Sequence, residues 1–397
     1  MKNKITVAFF HSSTDTFSGG PRMIYRLLSH LDETQFELFL LTQEEDELSR
    51  RLRLKDGVQV DIIPPRGLLK HYDNRLLDVP FHRKVGLGGR ILQYNVDARK
   101  YLRSADIIWC ENVRDMTVLS PYILLSRTPV IWNVGLGETG SGFVDYLQRL
   151  ALVLSDYVFI ESEEQAERVF GERFNTYKDK FVIFHKGIDT EKFDPEQVDT
   201  YSAINRTPIE NPAIGTAATI TPRKGLEDLI RALPYILKVQ PAANLYIAGG
   251  LSNELHEEYK SELTDLAKEL EIEDSVYFLG WVDEMPEFLA GLDVFVLPSY
   301  NEGISGAVRE ALAMKTPVVS SDVGGMSDVV IEDETGFLIH PGDVDELASA
   351  VIGLLEDQDL RSKMGKNGRE LIVTEFSIEG FVGEYRDLLT RVYHDNY

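Results

Sequence analysis

Two glutamates eight positions apart are the residues most able to do chemistry in this chain. Glu302 follows a short apolar run and Glu310 falls in the first turns of a predicted helix, with the small residues Gly303, Ser305 and Gly306 between them. Small residues let a backbone approach a ligand closely, and the N–H groups at a helix start attract an anion such as a diphosphate. A carboxylate instead accepts hydrogen bonds from sugar or ribose hydroxyls. The spacing alone is equally typical of a surface loop with two solvated glutamates.

The elements that must position these residues alternate between short apolar runs and amphipathic stretches. In the first half, strands are predicted over residues 5–10, 36–41, 106–110, 129–132 and 157–160. The alternation restarts after residue 212, with strands predicted over 213–218, 244–248, 276–279, 294–297 and 317–320. Such alternation is typical of parallel sheets covered on both faces. The sequence therefore predicts two doubly wound α/β domains facing across a cleft, with ligands at the carboxyl ends of the strands.

Composition excludes several classes of protein. The 397 residues suffice for two domains, and the single cysteine, Cys110, excludes an intrachain disulfide framework and a cysteine-rich zinc site. The net charge of −24 disfavours general nucleic-acid binding. No apolar run reaches the roughly 18–20 residues that a spanning helix needs, and the first run is too short for a signal peptide. We therefore expect a cytoplasmic protein.

Positive charge is concentrated between Arg50 and Arg103. This segment holds 13 basic and 5 acidic residues, a net charge of +8, whereas the rest of the chain carries −32. Leucines and aromatic residues are interleaved with the basic ones. This mixture suits an anionic membrane surface and predicts peripheral docking on the inner face of the cell membrane. A solvated helix pair whose charges balance acids elsewhere would give the same pattern.

Several short motifs, in a fixed order, carry a resemblance to a known family. They are Gly19-Gly20, Lys186-Gly187-Ile188-Asp189 with Phe193, Lys224-Gly225, Phe278-Leu279-Gly280, Glu302 and Glu310 followed by Pro317-Val318-Val319, Asp322-Val323-Gly324-Gly325, and Thr335-Gly336-Phe337-Leu338. In this order the sequence resembles the family 4 glycosyltransferases of the GT-B fold, which has two Rossmann-like domains. The resemblance covers almost the whole second domain and patches of the first.

The resemblance implies a metal-independent, retaining hexosyltransferase that uses a nucleotide diphosphate sugar as co-substrate and no other cofactor. It implies that Glu310 binds the ribose hydroxyls, that Glu302 binds the donor sugar, and that Lys224 neutralises the departing diphosphate. A cation with preorganised N–H donors at the departing oxygen is the largest effect available to such a reaction without a metal.

Backbone groups complete the donor site that the resemblance implies. The amides of Ile304, Ser305 and Gly306 would lie against the sugar and phosphates. Gly19 and Gly20 would close on the phosphates from the other domain.

Several positions depart from the family pattern. Ala218 and Thr219 stand where the family has Gly-Arg, with the arginine on the diphosphate; Arg223 either supplies the missing charge or is an exposed residue in a polar turn. Asn133 lies where the first domain often has a histidine. Arg309 stands at a usually apolar position, and either faces the cleft or points to solvent.

Two further residues of the first domain are weighed as site residues. Glu138 lies in a glycine-rich loop over residues 135–142 and, with Asn133, is predicted to lie on the acceptor side. His11 follows the first strand, and we expect a hydrogen-bonded structural histidine in preference to one that borders the cleft.

The predicted organisation follows from these motifs and from three X-Pro pairs between residues 194 and 212. Residues 1–190 form an N-terminal acceptor-side domain, 191–211 a linker, 212–376 a nucleotide-sugar-binding domain, and 377–397 a helix that packs back on the first domain. The leading hypothesis is a transferase that moves a sugar to a lipid-linked or glycan acceptor at the cytoplasmic membrane face. A non-catalytic sugar-nucleotide-binding protein and a soluble transferase acting on a small sugar phosphate are the alternatives.

Overall fold

The computed structural model describes residues 4–12, 19–64, 81–134, 143–198, 207, 209–210, 212–250 and 254–397. The chain divides into two units: Met1–Phe184 with Phe381–Tyr397, and His185–Gly380. The first unit therefore ends after Phe184, where the sequence predicted a boundary at residue 190. Ile188 explains the difference, because its N–H donates to the carbonyl of Phe376 over 2.7 Å within the second unit.

The first unit is a seven-stranded parallel sheet with helices around it. Its strands are β1 (Ile5–His11), β2 (Phe36–Thr42), β3 (Val58–Ile62), β4 (Ile107–Cys110), β5 (Val130–Asn133), β6 (Tyr157–Ile160) and β7 (Phe181–Ile183), in the order β3-β2-β1-β4-β5-β6-β7. Its helices are α1 (Gly19–His30), α2 (Glu47–Leu52), α3 (Phe81–Leu102), α4 (Val113–Leu125), α5 (Phe143–Leu154), α6 (Glu163–Phe170) and α7 (Glu172–Thr176), together with the last helix of the chain, α14 (Ile378–Asn396). Strands β4 and β5 are wholly buried, as expected for a sheet covered on both faces.

Aromatic packing holds the last helix in the first unit. The ring of Tyr385 lies 4.6 Å from that of Trp109 and 5.3 Å from that of Phe159, centroid to centroid. All three side chains are buried. Such contacts contribute beyond their buried area, and they place most of α14 against β4 and β6.

The second unit is a six-stranded parallel sheet of the same type. Its strands are β8 (Ala213–Ala217), β9 (Asn244–Ala248), β10 (Val276–Gly280), β11 (Val294–Leu297), β12 (Val318–Ser321) and β13 (Gly336–Ile339), in the order β10-β9-β8-β11-β12-β13. Its helices are α8 (Leu226–Val239), α9 (Glu254–Glu269), α10 (Met285–Ala290), α11 (Gly306–Ala313), α12 (Val344–Glu356) and α13 (Gln358–Glu375).

Each sheet reverses its strand order once. The reversal lies between β1 and β4 in the first unit and between β8 and β11 in the second. The loops that leave the carboxyl ends of these neighbouring strands diverge and open a crevice, which is where open α/β sheets bind ligands. The candidate site is therefore sought at these two edges.

Candidate functional site

Two loops meet at the carboxyl ends of β8 and β11. A 3-10 turn over Pro222–Lys224 follows β8, and the segment from Pro298 follows β11. Gly225 has a φ of 65°, and a Cβ atom at this position would overlap the carbonyl oxygen of Pro298. Only glycine lets the two loops approach so closely, so Gly225 fixes the position of the preceding lysine.

That lysine forms the central ion pair of the site. The ammonium group of Lys224 contacts a carboxylate oxygen of Glu302, which also accepts a hydrogen bond from the Ser299 hydroxyl over 3.0 Å. The side chains of Lys224 and Glu302 are only 12% and 5% exposed. A desolvated cation and a desolvated carboxylate thus lie together where the β8 and β11 loops meet.

Arg223 adds a second cation beside the same carboxylate. Its guanidinium lies 3.8 Å from Glu302 and donates to the carbonyl of Asn301 over 2.6 Å, while its own carbonyl accepts from the N–H of Tyr300 over 2.9 Å. The side chain remains 52% exposed. Arg223 is therefore both held by the β11 loop and open to a ligand.

The start of α11 follows directly. Ser305 precedes the helix with extended backbone angles, and its side chain makes no capping hydrogen bond. Ile304 is buried, and a Cβ atom on Gly325 would approach its side chain to 2.7 Å. Gly324 has a φ of 60°, and a Cβ atom there would overlap the carbonyl oxygen of Glu302. The Gly324-Gly325 turn after β12 thus supports the backbone of residues 302–304.

Two neighbouring residues of α11 differ in how deeply they are buried. Glu310 is half-buried in this short helix. Arg309 is buried, and its guanidinium donates to the carbonyl of Ile304 over 3.1 Å and to that of Lys186. The prediction that Arg309 could point to solvent is wrong, because its charge is held by the carbonyls of two loops of its own unit.

The edge formed by β8, β9 and β10 carries one departure from the family pattern, at Ala218 and Thr219. Thr219 is exposed, and the N–H of Ala218 donates to the carbonyl of Ala248 over 2.9 Å. Trp281, which follows β10, is 58% exposed, and its indole N–H donates to Asp283 over 2.8 Å. An exposed indole is a flat apolar surface that sequence reasoning did not single out.

In the first unit, Asn133 belongs to a network that the sequence did not reveal. Its side-chain amide donates to Glu111 over 2.8 Å, and the indole N–H of Trp109 donates to the other oxygen of that carboxylate over 2.7 Å. Both Asn133 and Glu111 are buried. The position of Glu111, directly after the apolar strand β4, was the available sign of a site residue.

His11 differs from its predicted state. It is buried at the end of β1, yet neither ring nitrogen has a hydrogen-bond partner within the described part of the chain. Burial lowers the pKa of His11 to about 4, with Asp46 opposing that shift and Arg114 adding to it. The expectation of a hydrogen-bonded structural histidine is therefore wrong.

Several predicted residues lie partly or wholly outside the described residues. Glu138 does, as do Arg66, Lys70 and Arg75 of the basic segment. Gly19 and Gly20 are the first residues of α1, and the residues just before them are not described. Within the described ranges, no group of three or more His, Cys, Asp or Glu side chains could hold a metal ion. None of the helices in the described part of the chain has the length and hydropathy that a bilayer crossing requires.

Comparison with solved structures identifies the fold. The structure matches sucrose-phosphate synthase from Thermosynechococcus elongatus with a TM-score of 0.79 over 99% of this chain and 100% of that chain, at 20% identity. The two Rossmann-like units are those of the GT-B glycosyltransferase fold, which confirms the predicted fold class.

Sequence comparison finds a family model that matches much of the second unit. Residues 197–371 match the family model described as "Glycosyl transferases group 1". This stretch contains Lys224, Glu302 and Glu310. The match confirms the family resemblance of the motifs that lie between residues 197 and 371.

Two curated relatives illustrate the extent of similarity. The chain is 32% identical over 213 residues to the GDP-mannose-dependent alpha-(1-6)-phosphatidylinositol monomannoside mannosyltransferase of Mycobacterium tuberculosis, covering 51% of this chain and 54% of that protein. It is 29% identical over 352 residues to the capsular polysaccharide biosynthesis glycosyltransferase CapM of Staphylococcus aureus, covering 81% and 87%. The chain spans about half the length of the first curated relatives it matches.

Proposed function

We propose that this protein is a retaining, metal-independent glycosyltransferase that moves a sugar from a nucleotide diphosphate sugar to a lipid-linked or glycan acceptor. The observation that carries the proposal is the desolvated Lys224–Glu302 pair at the carboxyl ends of β8 and β11, directly before the N-terminus of α11. It combines a cation for phosphate, a carboxylate for hydroxyls and a helix start.

The chemistry of transfer matches this arrangement. When the bond between the anomeric carbon and the diphosphate breaks, the electron pair goes to the leaving oxygen and the sugar carbon becomes positive. Lys224 is placed to stabilise the negative charge, together with the backbone N–H groups of residues 304–306. Arg223 supplies a second positive charge, which compensates for Thr219 at the position of the family arginine.

The carboxylates serve the hydroxyls of the donor. Glu302 accepts hydrogen bonds from Ser299 and Lys224 in the free protein, and donor sugar hydroxyls would share the same oxygens. Glu310, in the first turns of α11, would bind the ribose hydroxyls. Trp281 offers an aromatic face on which a nucleotide base can pack.

The names of the relatives support the substrate classes. The mycobacterial relative is named as GDP-mannose-dependent, and the staphylococcal relative is named for capsular polysaccharide biosynthesis. A nucleotide sugar donor and a glycan or lipid-linked acceptor are thus the natural substrates to propose here.

Helix α3 supports a location on the inner membrane face. Leu92 and Val96 are 57% and 66% exposed and lie four residues apart, on one side of the helix. Exposed basic residues flank them on the same helix and just after it: Arg90, Arg99, Lys100 and Arg103. Exposed apolar residues beside cations suit the boundary of an anionic bilayer.

One observation favours a second candidate function. Thr219 is exposed where the family has its diphosphate-binding arginine. If Arg223 does not replace that charge, the protein would bind sugar nucleotides without turning them over.

Donor turnover tests the proposal. The wild type and Glu310→Ala are incubated with UDP-, GDP- and ADP-sugars, with and without a membrane extract as acceptor source, and the released nucleoside diphosphate is quantified. We expect release from one donor, stimulated by the extract and lost in Glu310→Ala but not in Glu269→Ala, an exposed glutamate of α9. Tight donor binding with no release under any condition would favour the non-catalytic alternative.

A further inference from the structure

A row of buried polar side chains runs along one edge of the first unit. The strands β2, β1, β4 and β5 are neighbours in the sheet, and polar residues stand at or just beyond the carboxyl end of each. They are Gln43 and Asp46 after β2, His11 and Ser12 at β1, Glu111 and Asp115 after β4, and Asn133 at β5, and all are at least 90% buried. This edge includes the reversal between β1 and β4.

The part of this row nearest β4 and β5 is internally hydrogen-bonded. The Ser12 hydroxyl donates to Asp115, and the backbone N–H of Glu111 donates to the same carboxylate over 3.2 Å. Glu111 in turn accepts from Asn133 and Trp109. These contacts give this half of the row a sufficient structural explanation.

The part nearest β1 and β2 has no such explanation. Among the residues that the structure describes, none is a hydrogen-bond partner for the buried ring nitrogens of His11, the amide nitrogen of Gln43 or the Oδ2 atom of Asp46. The His11 Nε2 and Asp46 Oδ2 atoms lie 3.8 Å apart, beyond hydrogen-bond reach. A buried polar atom left unpaired is destabilising, so several at one sheet edge point to a bound partner.

The position of the Asp46 side chain does not depend on a bound partner, because this side chain caps helix α2. Its Oδ1 atom accepts from the N–H of Ser49 over 2.8 Å at the start of α2, and the Ser49 hydroxyl reaches back to its N–H. The cap therefore holds the carboxylate in place and leaves Oδ2 for another donor.

The unpaired atoms are donors and acceptors of the kind that hydroxyl groups can satisfy. A neutral imidazole offers one donor and one acceptor, the Gln43 amide offers a donor, and Asp46 offers an acceptor. Adjacent hydroxyls on a sugar ring can each donate and accept, so they suit both His11 Nε2 and Asp46 Oδ2, which lie 3.8 Å apart. A fully ionised phosphate can only accept hydrogen bonds. It would also be repelled by the negative charges of Asp46 and Glu111. Arg114, which acts on His11, is the cation that would oppose this repulsion.

We propose that His11, Gln43 and Asp46 form a subsite for the hydroxyl groups of an uncharged sugar residue. As the first unit carries this subsite and the second the candidate donor site, the sugar belongs to the acceptor. This assignment of the ligand rests on the proposed transferase function. It specifies that the acceptor presents a neutral sugar here, and that any phosphate of a lipid-linked or phosphorylated acceptor lies elsewhere.

Saturation-transfer NMR with small probes tests the subsite. The probes are methyl α-glucopyranoside and methyl α-mannopyranoside, with glucose 6-phosphate as the anionic counterpart. We expect at least one methyl glycoside to bind the full-length protein at least fivefold more tightly than glucose 6-phosphate. His11→Phe and Asp46→Asn should each weaken that binding at least fivefold. The first removes both unpaired ring nitrogens, and the second turns the unpaired acceptor Oδ2 into a donor, and each conserves shape.

Matched variants separate binding from folding and from the donor site. His30→Ala removes an exposed histidine at the end of α1 and should bind the glycoside like the wild type. Glu269→Ala should also retain glycoside binding, since it alters an exposed residue of the other unit. Urea midpoints identify any variant that fails to fold; Asp46→Asn keeps the Oδ1 cap and decides the matter if His11→Phe unfolds.

The outcomes are distinct for the two proposals. Glycoside binding unchanged in both His11→Phe and Asp46→Asn, equal binding of glucose 6-phosphate, or no glycoside binding at all would overturn the subsite. Nucleoside diphosphate binding, measured by calorimetry on the same samples, reports on the donor site alone. If the wild type binds the glycoside in a His11-dependent manner but binds no nucleoside diphosphate, the transferase function is contradicted. The sugar-binding subsite would then still stand.

Discussion

Lys224 and Glu302 form a buried ion pair although 78 positions separate them in the sequence. The pair joins the loop after β8 to the loop after β11, so it is at once a structural link and the proposed donor-binding machinery. These two roles predict different consequences for single and double substitutions.

Removing one partner should destabilise the second unit, and removing both should not. A buried ion pair broken on one side leaves an unpaired charge, at a cost of about 3 kcal/mol, whereas an apolar replacement of both is close to neutral. We expect Lys224→Met and Glu302→Leu each to lower the free energy of unfolding in urea by about that amount. The double variant should recover most of the loss but remain at least about 100-fold less active.

The exposed pair Glu227–Arg231 on α8 provides the control. Its atoms lie 2.7 Å apart, but both side chains are about half exposed. Glu227→Gln should change the free energy of unfolding by less than about 0.5 kcal/mol. Recovery of activity in the Lys224–Glu302 double variant would show that the pair is structural only.

The glycine turn after β12 should tolerate no side chain. Gly324→Ala forces alanine to a φ of 60° and against the carbonyl of Glu302. We expect a loss of at least about 2 kcal/mol in urea unfolding, with weakened donor binding. Gly353→Ala is the matched change, because Gly353 lies in α12 with open space around it. It should raise stability by about 0.5–1 kcal/mol, and an equal effect of both substitutions would refute the packing argument.

Asp115 should make the stability of the first unit depend on pH. Burial raises the pKa of Asp115 from its ordinary value of 3.8 to about 7, with the hydrogen bond from Ser12 opposing the shift. The folded state therefore holds a proton that the unfolded state releases, and this contribution to stability is lost as the pH rises towards 7. Asp115→Asn, which imitates the protonated acid, should gain about 2 kcal/mol relative to the wild type between pH 5 and pH 8.

The pKa of His11 is shifted in the opposite direction from that of Asp115, which helps to separate the two contributions to the pH dependence. The pKa of His11 is lowered to about 4, so the unfolded state binds the extra proton and stability rises with pH between about 4 and 6.5. The two groups oppose each other in the wild type over that range. In Asp115→Asn, the unfolding free energy should therefore rise visibly from pH 4.5 to 6.5. A constant difference between variant and wild type across pH 5–8, or a like effect of exposed Asp387→Asn, would exclude the role of Asp115.

Membrane docking by α3 should depend on both charge and apolar surface. Vesicle flotation should show binding to vesicles that contain anionic lipid and little to neutral ones. Each basic residue near the surface adds about 1 kcal/mol, so replacing Arg90, Arg99, Lys100 and Arg103 by glutamine should weaken binding at least about 100-fold. Leu92→Ser with Val96→Ser should weaken it without changing the salt dependence. Equal binding to neutral and anionic vesicles, or none to either, would contradict docking.

The strands could be predicted where they are buried on both faces. Runs such as Val294–Leu297 are continuous and apolar, and the prediction matched the structure there. Strands β3, β7 and β13 escaped prediction; all three are partly exposed edge strands, although the edge strand β10 was predicted. Val58–Ile62 carries polar residues, and Phe181–Ile183 has only three residues, too few to show a period.

Site residues could be predicted from their spacing only where they lie close together in the sequence. Glu302 and Glu310 lie in one loop and helix, so their spacing could be noticed. The family resemblance pointed to Lys224, but its contact with Glu302 is shown by the structure alone. The hydrogen bond between Ser12 and Asp115 joins residues 103 positions apart, and no local pattern encodes such a contact. The unpaired atoms of His11 are likewise a property of packing, which only the folded structure displays.

Calorimetric binding to Lys224→Met and Glu302→Gln tests the central claim most directly. The titrants are the nucleoside diphosphate and the nucleotide sugar identified in the donor panel. The account predicts that Lys224→Met weakens both ligands at least tenfold, because each carries the diphosphate. Glu302→Gln should weaken only the nucleotide sugar, because only that ligand carries the sugar hydroxyls. Unchanged binding of both ligands to both variants would contradict a donor site at this ion pair.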